Sequence, residues 1–114
     1  MDTDAMTDDE KEETYQDFKD RVNMAPKELE EWLETDESKS VGQSDGDGES
    51  TGHKSGRRIV EIKRTNKADL TDGQYEHMRK VNGYVARHLA QEPKEIEGSA
   101  WLYSLKNWGH DPTK

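Results

Sequence analysis

Tyr75, Met78, Val81, Val85 and Leu89 recur at spacings of three and four residues. At 100° per residue they fall within about 120° of arc, the width of a core-facing helical stripe. Such a stripe has to be covered, so the segment from Thr71 to Gln91 must pack against other helices. Thr71 and Gln74 have capping-box spacing and start it. The remaining apolar residues fall into similar short patterns. Thr7 and Glu10 can cap a helix opening near Asp8, along which Tyr15, Phe18 and Val22 form one narrow stripe. Pro26 suits the first turn of a second helix, with Leu29, Trp32 and Leu33 inward. Ser99 can cap a last helix carrying Trp101, Leu102, Leu105 and Trp108, stopped by Gly109 and Pro112; a strand through Trp101, Tyr103 and Leu105 is the weaker alternative. Ile59, Val60 and Ile62 are too few to fix a period, and a short helix over Arg57 to Thr65 is favoured over a strand.

Only 28% of the 114 residues are apolar and 38% are charged. That supply builds one small helical core and leaves little to wall a deep active-site cavity. The expected fold is all-α, a small single domain of four to five short helices. Residues 1–8 are expected to be a disordered acidic tail, and 9–114 a helical domain interrupted by a mobile linker at 35–56. The stretch from Gly42 to Gly56 contains five glycines, three serines and two aspartates, and no large apolar residue; a loop of that length is mobile or orders on a partner.

No apolar run is longer than Ala100-Trp101-Leu102-Tyr103, which excludes a transmembrane helix and a signal-peptide core within this sequence. The absence of cysteine removes disulfides, thiol catalysis and cysteine zinc sites. A cytoplasmic protein is expected, without cofactor or metal. Asp45-Gly46-Asp47-Gly48-Glu49 is not a calcium loop, because positions six and twelve hold Ser50 and Gly56 where an EF-hand needs Gly and Glu. Gly52-His53-Lys54-Ser55 fails as a P-loop, because His53 separates glycine from lysine and no buried strand leads in. His77 and His88 lie about 16 Å apart along one helix, too far to share a metal. The His110-Asp111 pair is the single hint of catalysis, and a structural role with His110 capping a helix end accounts for it better.

The net charge of -9 conceals a division. Residues 1–52 carry 18 acids against 5 Lys and Arg, whereas 53–114 carry 8 acids against 12. From Lys54 to Arg87 there are nine Lys and Arg against four acids. On the long helix Lys80, Tyr84 and Arg87 project away from the apolar stripe. Upstream, Lys54, Arg57 and Arg58 sit in a flexible basic loop of glycine and serine. Basic groups of this kind neutralise phosphates, and an aromatic among them can stack on a base. The candidate nucleic-acid-binding residues are therefore Lys54, Arg57, Arg58, Lys80, Tyr84 and Arg87, and no residue is assigned a catalytic role.

The strings VNMAPKELEEWLET, ESTGHKSGRRIVEIKR, HMRKVNGYVARHLAQ and WLYSLKNWGHDP, spanning about residues 14–114, resemble an uncharacterised family of small bacterial and archaeal proteins. Its members often carry the label of DNA-binding protein, and the closing Asn107-Trp108-Gly109-His110-Asp111-Pro112 is the most specific part of the likeness. The resemblance implies kinship and a DNA partner, and it supplies no catalytic residues. The acidic first half and the Asp/Gly/Ser linker resemble a halophilic, haloarchaeal-type member. The expected function is non-enzymatic nucleic-acid binding, of DNA in particular. The alternative is a protein-interaction module or homodimer in which Trp32 and Trp108 form an exposed patch.

Overall fold

Hydroxyl side chains open five of the six α-helices found among the described residues. In the computed structural model, which describes residues 6–41 and 50–114, Thr7, Thr35, Ser50, Thr71 and Ser99 each accept a hydrogen bond from the backbone N–H three residues on. Those bonds satisfy donors that a helix start leaves without intrahelical acceptors. They begin α1 (Asp8–Arg21), α3 (Asp36–Lys39), α4 (Thr51–Lys63), α5 (Asp72–Leu89) and α6 (Ala100–Asn107). The sixth, α2 (Pro26–Leu33), starts on Pro26, with the Glu28 carboxylate accepting from the Ala25 N–H at 3.1 Å. A 3₁₀ turn, Lys67–Asp69, joins α4 to α5. The described residues contain no strand, so the all-α expectation holds, and the capping boxes at Thr7/Glu10 and Thr71/Gln74 form as the sequence predicts.

α1 packs on α5 and α2 on α4, and α6 touches α2, α3, α4 and α5 at once. The buried stripe of α5, Tyr75, Met78, Val81 and Val85, meets Phe18 and Val22 of the α1 side and Ile59 of α4 in one continuous apolar core. Leu29, Trp32 and Leu33 extend that core through α2, and Trp101, Leu102, Leu105 and Trp108 through α6.

The linker expected at 35–56 is shorter than its composition suggests. Residues 36–39 form α3, and α4 begins at Thr51, six residues before the basic Arg57-Arg58 pair. The glycines do not break this helix because they serve a different purpose. A Cβ on Gly56 would stand 2.6 Å from the Asn107 carbonyl oxygen and 2.7 Å from Leu33 Cδ2; bare backbone at this position lets the end of α6 lie directly on α4. Lys54, Arg57 and Arg58 are therefore helical, and the flexible basic loop is corrected to two turns of α4. The Asp/Gly/Ser stretch at 42–49 and residues 1–5 lie outside the described residues. Of the expected disordered tail, Met6 packs partly against the core, Thr7 caps α1 and Asp8 is its first residue.

Candidate functional site

The cleft bearing the basic residues is built where α4, α5 and α6 meet. On α5, Lys80, Tyr84 and Arg87 share about 60° of helical arc. Together they line a cleft of about 430 Å³ with Thr51 and Gly52 at the start of α4 and Ser104, Asn107 and Trp108 at the end of α6. Among the described residues, no carboxylate lines it. The three other clefts described here each carry at least one: Glu30 and Glu34 between α2 and α4, Glu61 beside Arg58, and Glu10, Glu13 and Asp17 along α1.

The six sequence-predicted residues do not all converge. Lys80, Tyr84 and Arg87 do. Arg58 lines an adjoining groove with Gln74 and His77, and it stands close enough to His77 to act on it electrostatically, as does Lys80. Lys54 is half-buried on α4. Arg57 lines the separate groove between α2 and α4 with Leu33, His53 and Val60. Neighbouring residues on a helix diverge by 100°, so Arg57 and Arg58 cannot serve one face once this segment is helical.

Tyr84 is built into an aromatic stack. Its ring stacks 4.2 Å from that of Trp108 and 5.1 Å from that of His88, with interplanar angles of 14° and 16°. His77 extends the stack beyond Trp108 and Trp101 extends it beyond His88. Five near-parallel rings thus tie α5 to α6, and Tyr84 belongs to this wall of the cleft. Its hydroxyl is hydrogen-bonded to Ser104, and burial pushes its pKa up. The Trp101 indole donates to the His88 carbonyl at 2.7 Å. His88 Nε2 is buried without a hydrogen-bond partner, and burial lowers the pKa of that ring. His77 and His88 are both stacked and partly buried because α6 covers this flank of α5.

Burial, with the nearby charges of Arg58 and Lys80, holds His77 down at about 4, and its Nε2 lies 2.9 Å from the Ser55 hydroxyl. The unfolded ring titrates near its ordinary value of about 6.5. The unfolded chain therefore binds the proton first, and stability is full above pH 6.5 and falls as pH drops towards about 4. His77→Gln is expected to flatten this part of the stability–pH curve, measured as urea midpoints at several pH values. Identical slopes in the two proteins would contradict the assignment.

The closing Asn107–Asp111 run is a structural clasp. Trp32 Nε1 donates to Asn107 Oδ1 at 2.7 Å, the Ser38 hydroxyl donates to the same oxygen, and Asn107 Nδ2 donates to the Ser38 carbonyl at 3.0 Å. Gly109 has φ of +81°, a conformation that favours glycine, and a Cβ there would meet Val22 at 2.7 Å. His110 Nδ1 lies 2.6 Å from the carbonyl oxygen of Arg21, the last residue of α1. Asn23 exchanges two hydrogen bonds with the Asp111 backbone. The helix-end role expected for His110 is the one observed. Among the described residues, no group of three His, Cys, Asp or Glu side chains is placed to hold a metal ion.

The sequence reading missed Thr51, Ser104 and Trp108 as cleft residues. Trp101, Ser104 and Trp108 sit at helical spacings of three and four, so one face of α6 carries all three. A family model described as "Protein of unknown function (DUF3140)" matches residues 17–106. The chain belongs to this family. No curated protein and no solved structure matches it. The family's match runs from within α1 to the last turn of α6, so it includes Thr51, Gly52, Lys80, Tyr84, Arg87 and Ser104 of the cleft and stops one residue before the clasp. Among the described residues, no helix is long and apolar enough to cross a membrane.

Proposed function

We propose that the protein binds nucleic acid, DNA in particular, through phosphate contacts at the Lys80–Arg87 cleft, and that it catalyses no reaction. The observation that carries this reading is the cleft's composition: two cations, hydroxyl groups and, among the described residues, no carboxylate, in a chain with 26 acids. Lysine and arginine displace the counterions condensed on nucleic acid, and hydroxyl groups complete the phosphate contacts. Arg58 and Lys54 lie on α4, at the edge of the same basic region. Tyr84 holds the wall through its stack, so base stacking on its ring is not part of the proposal.

Fluorescence anisotropy of labelled duplex and single-stranded DNA, from about 50 mM to about 2 M KCl, tests it. Four phosphate contacts give a log–log salt slope of about −3 to −4 on duplex, and Lys80→Ala/Arg87→Ala is expected to reduce its magnitude by about 2. No binding to either DNA at the lowest salt, or an unchanged slope in the double variant, would overturn the proposal.

A protein partner or a second copy of the chain is the other reading, and it needs a surface different from the one expected. Trp32 and Trp108 are only 9% and 5% exposed, so they form no patch. The groove between α2 and α4, about 400 Å³ and lined by Leu33 and Val60 within a charged rim, supports this reading instead. Sedimentation at several concentrations, with and without DNA, separates the two.

A further inference from the structure

The cleft is a recess, and Lys80 and Arg87, both exposed, line its wall. Lys80 and Arg87 are two helical turns apart on α5, about 10 Å along its axis. The start of α4 and the end of α6 contribute the other walls. An internal phosphate lies between two neighbours on its strand and can be contacted from the rim of such a cleft. A terminal phosphate, by contrast, projects from its chain and can enter a recess.

Resting on the nucleic-acid reading above, we infer that this cleft is a seat for a phosphate monoester, either the terminal phosphate of a strand or the phosphate of a free nucleotide.

Charge and donors both fit such a group. A monoester carries about −1.5 to −2 charges near neutral pH and three terminal acceptor oxygens; an internal diester carries one charge and two such oxygens. Lys80 and Arg87 supply two positive charges, and no carboxylate is among the described lining residues. Arg87 offers a planar fork of N–H donors, Lys80 a mobile ammonium and Thr51 a hydroxyl group, while the Ser104 hydroxyl, hydrogen-bonded to Tyr84, has to turn from it to join them. The Thr51 and Gly52 N–H groups have no intrahelical acceptor by position and add to the donor set, whereas the His53 N–H is taken by the Ser50 hydroxyl. The volume of about 430 Å³ lies within the range of small-ligand pockets and leaves room for an attached sugar.

The placement of Arg87 has its own device. Its Nη1 lies 3.1 Å from the point where a Cβ on Gly83 would stand. Gly83 occupies the interior of an 18-residue helix, where glycine is normally unfavourable. The missing side chain lets the guanidinium fold back against its own helix one turn away.

The test uses the full chain and a short single-stranded oligonucleotide labelled at its 3′ end, carrying either a 5′-phosphate or a 5′-hydroxyl. The phosphorylated strand is expected to bind at least about tenfold tighter, with the preference lost in Lys80→Ala and in Arg87→Gln. Adenosine monophosphate should compete for the site, while adenosine should not. Equal affinity for the two strands, with both lost in the Lys80/Arg87 double variant, would overturn the monoester seat and leave the nucleic-acid reading standing. Binding of the mononucleotide without binding of either strand would support the seat and overturn the nucleic-acid reading. Absence of binding by strands and mononucleotide alike would overturn both. Ser104→Ala, which removes a hydroxyl and no charge, is expected to weaken the phosphorylated strand more than the hydroxyl-ended one; an equal effect on both would count against the seat.

Discussion

Asn107→Leu is expected to destabilise the protein by about 4 kcal/mol, although leucine is apolar, similar in size and placed in a core. The Asn107 side chain is 1% exposed and makes three hydrogen bonds, accepting from Trp32 and Ser38 and donating to the Ser38 carbonyl. Leucine would leave an indole N–H, a hydroxyl and a carbonyl unpaired out of water, and each such group costs about 1–3 kcal/mol. The loss would be a large share of the 5–15 kcal/mol typical of a domain. Urea unfolding followed by tryptophan fluorescence measures it directly. A loss below about 1 kcal/mol would mean that α3 and the end of α6 are not held by this side chain.

The second large effect depends on placing the same substitution at two glycines. Gly56→Ala is expected to cost about 2 kcal/mol, because its Cβ would press on the Asn107 backbone and on Leu33. Relieving that contact means shifting the end of α6 off α4, and overpacking of this kind typically costs about 1–3 kcal/mol. Gly83→Ala meets only the mobile tip of Arg87 within 4 Å. Here the helix gains the full alanine preference, about 1 kcal/mol, and the melting temperature should rise by about 4 °C. Thermal unfolding of both variants checks the pair. Effects of the same sign at the two sites would contradict the close approach of α4 and α6.

The helices that could be read from the sequence are those with both a start signal and a stripe. Thr71/Gln74 with Tyr75, Met78, Val81 and Val85 is the plainest case, and Ser99 with Trp101, Leu102 and Leu105 another. The first turns of α4 could not be read in this way. Gly52 and Gly56 are small because the end of α6 lies against them, Ser55 is buried against His77 of α5, and a run of small residues has the same composition as a loop. Tyr84 illustrates the related limit of periodicity, which identifies one buried face per helix. α5 has two covered faces, the second beneath Trp101 and Trp108, so an aromatic that looked misplaced on a polar face was part of the packing. The site was readable to the extent that Lys80 and Arg87 are seven residues apart on one helix. Thr51 and Ser104 depend on tertiary contacts, and Arg57 groups with Lys54 and Arg58 only while the first two turns of α4 are taken as a loop.

Amide and indole NMR spectra of the full chain, titrated with duplex DNA and with a 5′-phosphorylated single strand at low salt, test the central claim most directly. The cleft between α4, α5 and α6 should carry the perturbations, concentrated at Thr51, Gly52, Lys80, Arg87, Ser104 and the Trp108 indole. Perturbations centred instead on Leu33, His53, Arg57 and Val60, or no change with either DNA, would contradict it.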